Sequence, residues 1–497
     1  MRCSLPRPTS SSSVGSRVAA SEEQVGGAPH PYIPHTDEDR RIMLARLGLA
    51  STSELFDEIP EGLRDPTIDL PPALAEGELI ELLRARAADN AAASARPTFL
   101  GAGAYRRAVP AVVPSLVQRG EFATAYTPYQ PEIGQGTLQA AFEFQSVVCE
   151  LTGMEVANTG LYDVGSATAE AALLAARVTG RRSLAVLEPI HPGTLDVLRT
   201  YALGADLDVD VVGAGKNLAA VLSEKHSCLV VQQPDFLGGI VDLEAVADAA
   251  HAVGALCVAA CDPLALGLLR APGDAGVDVV TGEGRDLAGP IAFGGPSLGL
   301  FAARREHLRQ LPGRIVGRTR ELHGPRAADG SEGEPRTGYV LTLQAREQFI
   351  RRERATSNLS TGQQLVALSF AISLQALGPR GLRESAELCY QRAHDAASRI
   401  ARLPGYTVGG GDAVDAGGGW WFQEFLLRGP LPPAELLARL DERGITGGLD
   451  LSARSEPEAR AAVLVCVTEA TPPGDVDALV EALAAIAQQV PAGGRAG

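Results

Sequence analysis

A loop rich in polar and aromatic residues is the first part of the chain that could bind a ligand. It lies in TAYTPYQPEIGQGTLQAAFEFQSVVCELTG, residues 124–153, where prolines and glycines separate Tyr126, Thr127, Tyr129, Gln130 and Glu132. A helix is predicted to follow from about Thr137, and the N-terminus of a helix favours a nearby carboxylate or phosphate. Taken alone, the segment fits a purely structural loop better than a binding loop.

A run of small residues opens the next predicted helix, in NTGLYDVGSATAEAALLAAR, residues 158–177. Gly165, Ser166, Ala167 and Thr168 would let backbone amides cradle an anion, with help from the helix dipole. The alternative is that Ser166 or Thr168 simply caps the helix. The sequence does not separate these two interpretations.

Asp262 ends an apolar predicted strand, in CDPLALGLL. An aspartate at such a strand end can hold the pyridinium nitrogen of pyridoxal 5'-phosphate. Most strand-end aspartates only cap the following turn, so Asp262 is weak support for a cofactor site when it is taken alone.

The segment DVVTGEGRDLAGPIAFGGPSLGLFAAR, residues 278–304, has a strand, a polar turn and then FGGPSLG with Gly294 and Gly295. Enzymes of the aspartate-aminotransferase type place their Schiff-base lysine just after the corresponding strand. This chain has Arg285 and Asp286 there. A guanidinium stays protonated and cannot form the Schiff base.

Lysine is rare throughout the chain, because only Lys216 and Lys225 occur among 44 basic residues. Both lie in GAGKNLAAVLSEKHSC, the first at a predicted helix start and the second near the end of that helix. They are interpreted as solvated surface residues. The match to a phosphate loop is accidental, since the spacing and the following Ser or Thr are missing.

The periodicity of apolar residues predicts an α/β protein with five parts. These are a disordered tail (1–35), a helical segment (36–100) with Thr36 as cap, a large α/β domain (101–337), connecting helices (338–403) and a small α+β domain (404–497). Six strands separated by helices predict a mostly parallel sheet: SLAVLEP, LDVDVVG, CLVVQQP, ALCVAACDP, DVVTGEG and GLFAAR. Residues 318–337 are predicted to form a surface loop.

Charge and cysteine content exclude several classes of protein. The net charge of −16 argues against a nucleic-acid-binding protein, which usually carries a basic face. Seven scattered cysteines, with Cys257 and Cys261 in an apolar run, indicate buried thiols in a reducing compartment and no structural zinc. No apolar run long enough to span a membrane is expected, so a cytoplasmic location is predicted.

Several segments together resemble the glycine cleavage system P-protein, or glycine decarboxylase, in its two-subunit bacterial form. The resemblance covers about residues 32–495 and is carried most specifically by TPYQPEIGQG and LTLQAREQFIRRERATSN. It is also carried by YIPHTDEDRRIMLARLGLASTSELFDEIPEGLR, DPLALGLL, LAGPIAFGGPSLGLFAAR and LPGRIVG. Within the family, the chain is most similar to the N-terminal subunit, subunit 1.

The resemblance implies an aspartate-aminotransferase-like fold (fold type I of pyridoxal-phosphate enzymes) and a role that needs a partner. Subunit 2 would carry pyridoxal 5'-phosphate and the lysine, and a heterotetramer would decarboxylate glycine and pass the aminomethyl group to the lipoyl H-protein. This chain would supply one wall of that active site, from Tyr126, Thr127, Tyr129, Gln130, Glu132, Gly294 and Gly295. Its own cofactor positions would be degenerate, at Ser166, Thr168, Asp262, Arg285 and Asp286.

The chain departs from the family pattern at YDVGSATAEA, at Arg354, where lysine is usual, and at a Gly/Glu-rich insertion near 325–335. Two alternatives therefore stay open. One is a paralogous partner or scaffold subunit in a specialised pathway. The other is a free-standing pyridoxal-phosphate enzyme that uses Lys216 or Lys225.

Overall fold

The computed structural model describes residues 32–64, 66, 69–90, 95–326, 328, 330–359, 361–409, 420–454 and 459–490. Most of the predicted tail, 1–35, lies outside these residues. The chain forms two units, Met1–Asn90 and Ala91–Gly497. The five predicted domain boundaries remain predictions, although the structure groups residues 95–100 with the second unit.

The first unit contains short helices, as the sequence predicts, and the first of them is capped at both ends. Thr36 caps α1, because its side chain accepts a hydrogen bond from the backbone of Asp39 while the Asp39 carboxylate accepts one from the backbone of Thr36. Gly48 ends the helix in the left-handed conformation, with φ of 75°. The helices are α1 (Asp37–Leu47), the 3₁₀ helices Thr52–Phe56 and Glu61–Leu63, and α2 (Glu76–Ala88).

The second unit begins with a segment that crosses to the C-terminal domain. Phe99 is fully buried in the C-terminal core, where its backbone pairs with Thr446 and Cys466. Three helices follow before the main sheet: α3 (Val112–Val117), α4 (Gly120–Ala123) and α5 (Gln135–Thr152). The long helix therefore begins two residues before the predicted Thr137.

The large domain is built on a seven-stranded sheet in the order β1-β7-β6-β5-β4-β2-β3. Strands β2 to β6 are parallel to one another, and β7 runs antiparallel to β6 and β1. All six predicted strands are confirmed, and β1 was not predicted. The elements are β1 (Val156–Ala157), α6 (Val164–Thr179), β2 (Ser183–Leu187), α7 (Pro192–Ala205), β3 (Asp208–Val212), α8 (Leu218–Val221), β4 (His226–Gln233), α9 (Leu243–Ala252), β5 (Leu256–Cys261), the 3₁₀ helix Ala265–Gly267, β6 (Val279–Glu283), α10 (Arg285–Ala288), β7 (Gly299–Ala303) and the 3₁₀ helix Arg305–Gln310.

Both faces of this sheet are covered. In β4, Leu229 and Val231 belong to one apolar cluster and Cys228 and Val230 to another, as the alternation of side chains along a strand requires. The first cluster includes residues of α5 and α9, and the second includes residues of α6 and α7. This explains the apolar sequences of the central strands, since neither of their faces meets solvent, whereas the edge strand β3 is partly exposed and contains Asp208 and Asp210.

The predicted surface loop at 318–337 is wrong at both ends. The structure has a β-hairpin, β8 (Ile315–Arg320) and β9 (Thr337–Thr342), with Ile315 opposite Thr342 and Arg320 opposite Thr337. The outer halves of both strands are exposed and polar, so their sequence is typical of a loop. Only the inner end packs, where Val316 is buried against α5.

The helices after the hairpin include one of 37 residues, α12. By length and composition it could span a membrane, but core helices pass the same test. Gly378 breaks it, with φ of 63° directly before Pro379, and Phe370 and Leu374 are buried in the core of the large domain. The elements are the 3₁₀ helix Gln344–Arg346, α11 (Gln348–Arg351), the 3₁₀ helix Arg352–Arg354 and α12 (Gln364–Ile400).

The C-terminal domain has a four-stranded antiparallel sheet in the order β10-β11-β13-β12, packed against α12, α13 and α14. This is the α+β arrangement that the sequence predicts. Part of the first predicted strand, GGGWWFQEFLLRG, lies outside the described residues. The elements are β10 (Thr407–Gly409), β11 (Glu424–Arg428), α13 (Pro433–Asp441), β12 (Leu449–Asp450), β13 (Val463–Cys466) and α14 (Pro473–Gln489).

Candidate functional site

A cavity of about 410 Å³ lies at the carboxyl ends of β4, β5 and β6. Ligands of open α/β proteins bind at this end of a parallel sheet. The lining combines carboxylates with two arginines and a histidine. The charged and titratable residues among them are Tyr105, Arg107, Asp163, His191, Cys261, Asp262, Glu283, Arg285, Asp286 and Glu424.

Arg285 lies directly after β6, at the position where enzymes of the aspartate-aminotransferase type have their Schiff-base lysine. Its Nε donates to Asp286 Oδ1 at 2.9 Å and its Nη2 to the Gly103 carbonyl at 2.8 Å. Burial raises the pKa of Asp286, and the charges of Arg285 and Arg107 act against that effect. The guanidinium is thus held in a fixed contact and cannot take the chemical role of a Schiff-base amine.

The N-terminus of α6 is occupied by carboxylates of the chain itself. Asp163 caps the helix, accepting from the Ser166 backbone at 2.7 Å, and Glu283 Oε2 accepts from the Val164 backbone at 3.3 Å. Burial raises the pKa of Glu283 to about 7. Of the two interpretations of this helix start, capping is therefore the one observed. Asp163 is the cap residue, and the Ser166 hydroxyl completes a capping box by accepting from the Asp163 backbone at 3.3 Å, whereas Thr168 takes no part.

Thr168 and Ser166 do not line the cavity. The Thr168 hydroxyl forms hydrogen bonds with the Val164 carbonyl at 2.8 Å and the Thr281 hydroxyl at 2.9 Å. Its hydrogen bonds are therefore made to other parts of the fold. A phosphate brought to this helix end would meet Asp163 and Glu283. The residues present therefore do not fit pyridoxal 5'-phosphate.

Asp262 follows β5, as predicted, and it faces a cation of this chain. Arg107 Nη2 donates to its Oδ2 at 3.0 Å, and Gln423 Nε2 donates to the same oxygen at 2.9 Å. The other oxygen accepts from the Leu264 backbone at 2.9 Å, which is the capping role. An oxygen already shared by two donors is poorly placed to hold a pyridinium.

A segment that the sequence did not single out, residues 101–107, runs along this cavity. The Ala102 backbone and the Tyr105 hydroxyl both donate to Glu424, at 2.6 and 2.7 Å. Burial raises the pKa of the Glu424 carboxyl to about 7. His191 Nε2 lies 3.1 Å from the Ala102 carbonyl. The two glycines of LGAGAY are the sequence feature that could have drawn attention to this segment. A Cβ at Gly101 would lie 2.7 Å from Glu424 Oε1, so a larger residue would not fit there.

Part of the predicted active-site wall forms a second cavity, of about 240 Å³. Tyr126 and Thr127 line it together with Arg314 and residues at the start of α12. Tyr129 is next to Arg314, whose Nη2 donates to the Tyr129 hydroxyl at 3.1 Å and whose guanidinium lies 5.5 Å from the ring centre.

The other wall residues are not brought into either cavity. Gln130 and Glu132 are exposed, and α5 begins at Gly134 without a side-chain cap, so Glu132 does not cap this helix. Gly294 and Gly295 lie in a separate exposed loop beside Phe293, which is 97% exposed with φ of 46°. Neither glycine lines either cavity.

The two lysines lie at the surface of the chain, whereas the two neighbouring cysteines are buried. Lys225 pairs with Asp210 at 2.6 Å, and both lysines are exposed and outside the cavities. Cys257 and Cys261 are buried, as predicted, and burial raises the pKa of both thiols. Among the described residues, no group of three or more His, Cys, Asp or Glu side chains could hold a metal ion.

The fold and the position of the first cavity define the class of protein. Solved structures of a Burkholderia pseudomallei sphingosine-1-phosphate lyase and an Escherichia coli cysteine desulfurase match with TM-scores of 0.58 and 0.53, covering 86% and 82% of this chain and 95% and 99% of theirs. Their identities of 14% and 16% show the fold alone. The chain has the fold of pyridoxal-phosphate enzymes of type I, as the sequence predicted.

The chain belongs to the glycine cleavage system P-protein family, whose sequence model matches residues 30–483. A probable glycine dehydrogenase (decarboxylating) subunit 1 from Thermomicrobium roseum is 47% identical, over 91% of this chain and 98% of the relative. The corresponding protein from Chlorobium limicola is 42% identical, over 92% and 100%. A crystal structure of glycine decarboxylase (P-protein) in inhibitor-bound form matches with 41% identity, a TM-score of 0.79, and coverage of 92% and 100%.

Proposed function

We propose that this chain is the subunit of glycine dehydrogenase (decarboxylating) that carries no pyridoxal 5'-phosphate, and that it is active only with subunit 2. The observation that carries the proposal is the replacement of the Schiff-base lysine by Arg285, fixed against Asp286 and Gly103. Asp163 and Glu283 at the start of α6 support it, because they oppose a phosphate electrostatically.

The assembled enzyme, in this proposal, is a bacterial cytoplasmic heterotetramer with two copies of each subunit. Subunit 2 supplies the lysine and the cofactor, which accepts the electron pair released when glycine loses carbon dioxide. The aminomethyl group then passes to the lipoyl H-protein. The relatives' name, subunit 1, supports the need for a second subunit.

The proposed contribution of this chain is a wall of the active site on subunit 2. The second cavity supports this role, because Tyr126 and Thr127 line it together with the guanidinium of Arg314. Tyr126 is 82% exposed, so its ring is accessible to a partner. A cationic and aromatic surface of this kind suits the carboxylate of glycine or the phosphate of a cofactor held by the partner.

Reconstitution tests the proposal. Glycine–bicarbonate exchange is measured with lipoyl H-protein and cofactor present, for this chain alone, for the cognate subunit 2 alone and for the two mixed. Only the mixture is expected to be active, and light scattering should show a complex with two copies of each subunit. Exchange by this chain alone would refute the proposal, as would an inactive mixture that nevertheless forms the complex.

The loop residues Tyr129 and Glu132 are expected to matter in that mixture. Tyr129→Phe keeps the ring over Arg314 and removes the hydroxyl that Arg314 bonds, and Glu132→Gln removes only a charge from an exposed side chain. Each change should lower exchange at least tenfold, or about 1.4 kcal/mol of barrier, with assembly unchanged.

Matched controls for these variants are Tyr201→Phe in α7 and Glu150→Gln near the end of α5, which lie outside both cavities. The controls should keep normal exchange. Normal exchange in Tyr129→Phe and Glu132→Gln as well would show that the loop has only a structural role.

A further inference from the structure

The first cavity is lined by more carboxylates than the cations of this chain balance. Two of its carboxylates pair with arginines, Asp262 with Arg107 at 3.0 Å and Asp286 with Arg285 at 2.9 Å. Three more line the cavity and form no salt bridge with any residue that the structure describes: Asp163, Glu283 and Glu424. The lining therefore has an excess of acidic groups.

Neutral donors hold the unpaired carboxylates in place. Glu424 accepts from the Ala102 backbone at 2.6 Å and from the Tyr105 hydroxyl at 2.7 Å. Glu283 accepts from the Leu298 backbone at 2.7 Å. Burial raises the pKa of Glu283 and Glu424 to about 7, although nearby arginines act in the opposite direction. A further positive charge in the cavity would stabilise the ionised form of each carboxyl.

The histidine of the cavity does not supply that charge. His191 Nδ1 accepts from the Gly193 backbone at 3.1 Å, so this nitrogen carries no proton. Its Nε2 donates to the Ala102 carbonyl at 3.1 Å. Burial also lowers the pKa of His191, so the imidazole is neutral at neutral pH. A positive charge would have to come from a bound ligand.

Other residues of the lining indicate that such a ligand is organic. Thr194, in the first turn of α7, lines the cavity and is only 4% exposed, and its hydroxyl has no hydrogen-bond partner among the described residues. Buried hydroxyls normally have a partner, which an N–H of a ligand would provide. The same space is lined by the apolar side chains of Val164, Val197, Leu287 and Phe422. Its volume of about 410 Å³ lies in the range of small-molecule sites.

We propose that the first cavity binds a small primary amine, as its ammonium ion, on a short aliphatic chain. The ammonium donates to the unpaired carboxylates and to Thr194, and the carbon chain packs on the apolar lining. A ligand with a carboxylate, such as an amino acid, would bring a further negative charge beside three others, which is unfavourable. The proposal goes beyond the function proposed above and takes from it only a cavity without pyridoxal 5'-phosphate.

The test titrates the full-length chain by calorimetry with butylamine, 1-butanol and butyrate, which share a carbon chain length and carry a positive, zero and negative charge at neutral pH. Glycine is a further titrant, because it has a carboxylate beside its ammonium. We expect butylamine to bind about tenfold or more tighter than 1-butanol, and butyrate and glycine to bind weakest. Equal affinities for butylamine and 1-butanol, or tighter binding of butyrate or glycine, would overturn the proposal.

Two variants test the place of the bound amine. Glu424→Gln keeps the side-chain shape and can still bond Ala102 and Tyr105, because a tyrosine hydroxyl also accepts. Thr194→Val removes only the hydroxyl. Butylamine binding should weaken about tenfold or more in Glu424→Gln and about threefold or more in Thr194→Val. The matched control is Glu170→Gln, which should bind normally, because Glu170 is 2% exposed and lies outside this cavity.

Wild-type affinity for butylamine in both Glu424→Gln and Thr194→Val would show that the amine binds elsewhere and would overturn the proposal. The comparison of the charged and neutral titrants uses the wild-type chain, so it decides the question even if a variant does not fold. None of these results changes the exchange expected from the mixture with subunit 2. The amine site and the proposed function can therefore fail separately.

Discussion

Replacing Arg107 by methionine is expected to lower the free energy of unfolding of this chain by about 3–5 kcal/mol. Only 1% of the Arg107 side chain is exposed, and it pairs with Asp262 at 3.0 Å and Glu469 at 3.2 Å. Its Nη1 also donates to Gln423 at 2.7 Å. Removing the guanidinium leaves two poorly hydrated carboxylates without their cation, and that desolvation is the main cost.

The position of Arg107 makes the expected loss of stability larger than the loss from removing an ordinary ion pair. Its partners come from the end of β5, from the residue before β11 and from the segment after β13, so the guanidinium joins the large domain to the C-terminal domain. Removing the guanidinium breaks all of these contacts at once.

Urea unfolding of the isolated chain measures the effect. Arg380→Met is the matched control, because Arg380 is 90% exposed and pairs along its own helix with Glu384. An exposed pair of this type contributes roughly 0.3–0.5 kcal/mol. The unfolding midpoint of Arg107→Met should fall clearly below that of Arg380→Met, and equal midpoints would contradict the structural role assigned to Arg107.

Borohydride reduction is expected to attach no phosphopyridoxyl group to this chain, either alone or in the complex. Reduction fixes a Schiff base on the lysine that forms it, and the position after β6 holds Arg285. Lys216 and Lys225, the two lysines of the chain, do not line the first cavity, so neither presents an amine there. In the assembled enzyme, all of the label should be found on subunit 2 by mass spectrometry.

An Arg285→Lys variant tests which feature keeps the cofactor from this chain: the absence of a lysine after β6, or the two carboxylates at the start of α6. It restores an amine, but Asp163 and Glu283 still occupy the start of α6. We therefore expect this variant to remain unlabelled at micromolar cofactor, with subunit 2 as the positive control. Stoichiometric label on the introduced amine would show that the carboxylates do not exclude the phosphate. Label on Lys216 or Lys225 of the wild type would refute the interpretation of this chain as the subunit without cofactor.

The strands and most helices could be predicted because their signals are local. The central strands of the large sheet are mostly apolar, since both of their faces are covered, and Thr36 with Asp39 forms a capping box within four residues. The β8–β9 hairpin could not be predicted in this way. Its outer residues are polar, and the evidence that it is a hairpin is the pairing of Arg320 with Thr337 across an intervening segment.

The active-site wall remains a prediction, and the structure brings only some of its residues together. Tyr126 and Thr127 do line a cavity, but Gly294 and Gly295 lie in another loop. Proline and glycine indicate where the chain turns, and they do not indicate which loops meet. The Tyr129 contact joins that residue to Arg314, 185 positions later, and no periodicity reaches so far.

The sequence by itself determined the family, the fold class and the absence of a lysine after β6, because motifs and residue types at fixed spacing carry that information. Only the tertiary structure decided what fills the degenerate site. Arg107 reaches Gln423 across 316 positions, and the Ala102 backbone reaches Glu424 across 322. Such contacts arise when the domains pack, and burial there, not residue type, raises the pKa of Glu424 and Glu283 to about 7.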